Sequence, residues 1–118
     1  METLRTPILV KAIYMFLLGL STISPSLASS VYGAEVKDPG LLLTLSGVFF
    51  GFGVVDWTVA GSTEKYGGLA SALVIALLIG ALFLIWTWIT GAYTARVVLV
   101  PIIINVVLAG WIWSAKPK

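Results

Sequence analysis

The chain contains no cysteine and no histidine. Without cysteine there is no disulfide, no thiol nucleophile and no thiolate to ligate an iron–sulfur cluster. Without histidine, haem and most zinc and copper sites lose their usual ligand. Charge is also scarce: Asp, Glu, Lys and Arg make up 10% of 118 residues, against about 25% in a soluble domain. A metal site built from carboxylates alone would draw on Glu2, Glu35, Asp38, Asp56 and Glu64, which are scattered along the chain. There is no Gly-rich phosphate loop, nucleophile–base set or carboxylate pair. The expectation is therefore no metal, no cofactor and no catalytic activity of the chain's own. The net charge of +2 has no basic cluster behind it, so nucleic acid is not an expected partner.

Apolar residues take the place of charge. They form 59% of the chain and gather into four runs, each near the ~20 residues an α-helix needs to cross a bilayer. The first, Pro7 to Ile23, has Thr6 as N-cap and Pro7 at the first helical position. Its basic start, with Ser26-Leu27-Ala28 as a cleavage site, also fits a signal peptide; we read it as a retained span. The second run, Pro39 to Ala60, opens on Asp38-Pro39 in the same way. The third, Gly68 to Ile89, lies between Gly67-Gly68 and Gly91. The fourth, Ala92 to Trp113, ends at Ser114 and the tail Lys116-Pro117-Lys118. The spans predicted are thus 7–23, 39–60, 68–89 and 92–113.

The fold class that follows is all-α: one domain over 1–118, an integral membrane antiparallel four-helix bundle in which consecutive spans are neighbours. The first connection has two readings. Ser24 as cap, Pro25 as first residue and Gly33 as terminator make a short interfacial helix, with Leu27, Val31 and Tyr32 toward lipid. The other reading is an irregular loop.

Lys and Arg favour the cytoplasmic side of a membrane. Arg5, Lys65, Lys116 and Lys118 share the side of the termini, with Lys11 close by, and the other side holds Lys37 and Arg96. This bias predicts both termini in the cytoplasm, in the plasma membrane of the cell. Trp57, Trp111 and Trp113 fall with Tyr66 near the inner boundary, and Trp86 and Trp88 with Tyr32 and Tyr93 near the outer one. They read as interfacial anchors, with the lipid bilayer as partner.

Asp56 is the most informative residue, because a charge in hydrocarbon costs several kcal/mol unless it is paired, protonated or reaches water. Lys11 and Asp56 both count about four positions from the inner boundary on oppositely directed spans, roughly 6 Å deep. An intramembrane Lys11–Asp56 pair follows; the alternatives are Lys11 snorkelling to headgroups and Asp56 handling protons or ions. Asn105 lies midway along the fourth span, one turn after Pro101, which removes the N–H that would serve the carbonyl of Val97. Pro101 and Asn105 shape a polar pocket or make an interhelical hydrogen bond. Gly47 and Gly51 have GxxxG spacing, and Ala76 and Gly80 repeat the small-xxx-small pattern. These stripes read as helix-packing faces within the chain, with a subunit contact as the second option.

The first span followed by Ser24-Pro25, then Val31-Tyr32-Gly33, Asp38-Pro39 and a Gly-rich second span, resembles small four-helix membrane proteins of the DoxX-like type. That resemblance covers mainly the first half and implies no catalytic residue; some such proteins are accessory subunits of quinone-linked oxidases. The size also resembles small multidrug resistance transporters, but their first-span glutamate is missing here, where Lys11 stands and no acid does. The function expected is a non-catalytic accessory subunit of a larger membrane complex, respiratory or an oxidase or monooxygenase, with other membrane subunits as partners. The alternatives are a small oligomeric proton- or ion-coupled carrier or channel using Asp56, Lys11 and Asn105, and a binder of a lipid-soluble molecule such as a quinone near Trp57 and Asn105.

Overall fold

The computed structural model describes residues 2–33 and 35–116; Pro117 and Lys118 of the expected tail lie outside the described residues. All regular structure among the described residues is helical: α1 (Glu2–Ser21), α2 (Pro25–Tyr32), α3 (Pro39–Gly61), α4 (Thr63–Tyr66), a 3₁₀ turn (Gly67–Leu69), α5 (Ala70–Ile89) and α6 (Ala95–Ala115). Helices α1, α3 and α6, and α5 with the turns that lead into it, are long and apolar enough to cross a membrane. The longest dimension, 43 Å, matches the ~40–45 Å of a bilayer with its headgroups.

Tertiary packing moves several boundaries away from the sequence expectation. Thr6 is not an N-cap and Pro7 is not a first helical residue, because α1 begins at Glu2. Leu4 and Ile8 are fully buried, and the burial of this face carries the helix outward through Pro7, at the loss of one backbone N–H. At the other end of the bundle Gly91 takes φ +80°, a conformation that glycine adopts without strain. The turn it makes delays α6 to Ala95.

The first connection is a capped helix. Ser24 Oγ accepts from Leu27 N–H at 3.2 Å, Pro25 occupies the first turn, and Gly33 (φ +67°) closes α2 by donating its N–H to Ser29 O. Leu27 and Val31 are exposed and Ala28 is buried. Tyr32 departs from the lipid-facing expectation: it is half-buried, its hydroxyl 2.6 Å from Ser21 Oγ.

Neighbourhood does not follow chain order throughout. α1 packs along α3, α5 packs along α6, and α1 against α6 joins the two pairs. The consecutive spans α3 and α5 do not pack along one another; the α4 and 3₁₀ segment carries the chain past them. All four long helices contribute to a core at the end that holds the termini, made of Leu4, Ile8, Val59, Ala60, Val74, Leu77, Leu108 and Ile112 with Ala70 and Ala109. With α3 at the edge of the row, its far side has no neighbouring helix among the described residues.

Candidate functional site

The contact between α1 and α3 holds the most distinctive chemistry. Lys11 Nζ donates to Asp56 Oδ2 at 2.7 Å. Lys11 is 3% exposed and Asp56 0%, so the ammonium does not snorkel. Lys11 also sits deeper along its helix than the sequence suggested, as the tenth of the twenty residues of α1. Asp56 Oδ1 is buried with no hydrogen-bond partner among the described residues.

Around this pair the two helices interlock. Phe16 of α1 lies over Gly53 of α3, where a Cβ would stand 2.7 Å from the ring. Phe50 of α3 lies over Gly19 of α1, where a Cβ would stand 3.0 Å from its ring. The two rings are 6.3 Å apart and tilted. Each helix thus offers one aromatic knob and one glycine notch, three residues apart, so that the oppositely directed helices clasp reciprocally. Ser46 donates across the interface to Gly19 O at 2.6 Å. The glycines that pack inside the chain are therefore Gly19 and Gly53.

Gly47 and Gly51 do not form a packing face within the chain. Both are exposed, and a Cβ at either would meet nothing within 4 Å. The physical reason is helix phase: at 3.6 residues per turn Gly47 points about 180° away from Asp56, and Asp56 faces α1. Ala76 is likewise exposed. Gly80 does pack, with Asn105 Nδ2 3.0 Å from where its Cβ would be.

Asn105 is buried and donates its amide to Leu77 O of α5 at 3.3 Å, an interhelical hydrogen bond. Pro101 lies within α6, which runs on unbroken. A shallow groove of about 270 Å³ is lined by Phe16, Val54, Trp57 and Thr58. Asn105 is not part of it, so the structure does not bring Trp57 and Asn105 into one pocket. Trp57, Trp86, Trp88, Trp111 and Trp113 are all exposed, at the two ends of the long helices. Lys116 Nζ stands 3.7 Å from the ring centroid of Trp113 and donates to Ser71 Oγ at 3.2 Å, tying the end of α6 to the start of α5.

One longer pattern escaped the sequence reading. Gly40, Thr44, Gly47, Gly51, Val54, Thr58 and Gly61 follow one another at alternating steps of four and three residues, and every one is exposed. The hydroxyls of Thr44 and Thr58 are spent on Gly40 O and Val54 O of their own helix. The result is a smooth, apolar seam along the whole open side of α3. The alternating spacing was the available signal.

Comparison with known proteins finds no matching family model, no matching curated protein and no matching solved structure.

Proposed function

We propose that this chain is a non-catalytic accessory subunit of a larger membrane protein complex, docked through the open seam of α3 against an apolar helix of another subunit. The carrying observation is that Gly47 and Gly51 face outward into open space. Glycine costs a helix about 1 kcal/mol relative to alanine, and within this chain neither glycine recovers that cost by close packing. A neighbouring helix that approaches along the seam recovers it, since membrane helices associate through small residues that bring backbones together. The groove beside Phe16 and Trp57 shares Val54 and Thr58 with the seam and suits a bulky apolar side chain of the partner.

The DoxX-like resemblance points to a respiratory, oxidase or monooxygenase complex. The Lys and Arg bias supports both termini in the cytoplasm and residence in the plasma membrane. The carrier reading draws less support, because Lys11 and Asp56 are buried and spent on each other. The groove beside Trp57 is the observation that favours a lipid-soluble ligand, as the second reading.

Gentle detergent extraction, native gel separation and mass spectrometry of the band test the proposal. Co-migration with larger subunits in fixed ratio, abolished by Gly47→Leu together with Gly51→Leu, supports it. A wild-type chain that runs alone or only with copies of itself overturns it.

A further inference from the structure

We infer that α1 and α3 enter the membrane as a mutually dependent pair, neutralised by Lys11 and Asp56, whereas α5 and α6 enter on their own. This rests on reading the four long helices as membrane spans.

The four helices divide into two kinds. α5 contains no Asp, Glu, Lys or Arg, and the only charge in α6 is Arg96, one residue from its start. These are also the two most hydrophobic candidate spans. α1 and α3 are the two least hydrophobic, and each carries one buried charge: Lys11 at the middle of α1 and Asp56 five residues before the end of α3. Lys11 is about 14 Å along α1 from Glu2, beyond easy reach of either end. A lone ammonium or carboxylate at such depth opposes insertion.

What each helix lacks, the other supplies. The ammonium of α1 meets the carboxylate of α3 at 2.7 Å. Gly19 of α1 receives Phe50 of α3, and Gly53 of α3 receives Phe16 of α1. Ser46 of α3 reaches the backbone of α1. By contrast, α3 does not pack along α5, its successor in the chain. The partner that makes α3 acceptable to lipid is therefore α1, across the intervening α2, and the two must be inserted before either is stable there.

The chain has no native cysteine, so single introduced cysteines report topology cleanly. Lys37→Cys marks the connection between α1 and α3, and Ala92→Cys marks the turn between α5 and α6. Sealed vesicles are labelled with a charged, membrane-impermeant maleimide from each side in turn. In the otherwise wild-type chain both probes react from one common side. Asp56→Asn alone, which leaves the Lys11 ammonium unpaired in α1, lowers the Lys37→Cys signal on that side by roughly half or more and leaves the Ala92→Cys signal unchanged. Lys11→Met combined with Asp56→Asn restores it. Three results overturn the inference: an Asp56→Asn variant that labels like wild type, a double variant as defective as Asp56→Asn alone, or loss of the Ala92→Cys signal together with that of Lys37→Cys. Probes that react equally from both sides in the otherwise wild-type chain overturn the spanning reading itself.

Discussion

Phe16 lies so closely over Gly53 that no other residue fits at that position without moving the ring, since a Cβ there would be 2.7 Å from it. The reciprocal contact of Phe50 with Gly19 makes this a clasp with two equivalent halves. Gly53→Leu and Gly19→Leu are each expected to destabilise the isolated chain by about 1–3 kcal/mol through overpacking, read from unfolding in mixed micelles. Gly47→Leu serves as the comparison: with open space around it, it should not destabilise the isolated chain and should gain up to about 1 kcal/mol from relief of the glycine cost.

The buried pair sets a second expectation. Lys11→Met strands a carboxylate and Asp56→Asn strands an ammonium, and breaking a buried pair in this way costs about 3–5 kcal/mol. Removing both charges together should cost much less than the two single losses added. A double-mutant cycle on unfolding free energies checks this, and strictly additive losses would show that the two groups do not act as a pair.

Asn105 joins α6 to α5 through Leu77 O. Asn105→Leu is expected to weaken the bundle by about 0.6–2 kcal/mol, the range for interhelical hydrogen bonds in membranes. Backbone amide exchange should rise on α5 around Leu77 while the α1–α3 pair keeps its protection.

Gly33 ends α2 at φ +67° with the Arg96 guanidinium packed against it. Gly33→Ala meets both a left-handed backbone, costing about 1–2 kcal/mol, and the Arg96 side chain. Adding Arg96→Ala should recover only the steric part, since the backbone strain stays. The comparison is of melting temperatures for the two single variants and the double variant.

Much of this architecture was legible in the sequence, and the failures are instructive. The four long helices announced themselves by apolar length, and the positions of Lys11 and Asp56 on oppositely directed runs brought the two together. The start of α1 was not legible, because Thr6-Pro7 is a good local start signal and only the burial of Leu4 and Ile8 against distant helices overrides it. Gly47 and Gly51 were placed inside because GxxxG spacing shows that a face is smooth without showing which helix it meets. Phasing α3 on Asp56 would have chosen Gly53 instead, three residues before Asp56 and on the same side. Ser46 lies ten residues before Asp56, on that face as well, yet nothing local distinguishes a serine that crosses an interface from one that bonds its own helix.

The seam from Gly40 to Gly61 also carries a handedness. An undistorted α-helix turns about 20° short of two full turns per seven residues, so a row with an average spacing of 3.5 drifts slowly around it. A partner helix that stays in contact with all seven seam residues must therefore coil around α3 in the left-handed sense, crossing at about +20°. A partner that touches only Gly47 and Gly51 is free to cross in the right-handed sense, at about −40°. A contact along the full seam therefore selects the shallower angle, and with it a long, nearly parallel or antiparallel packing along the length of α3.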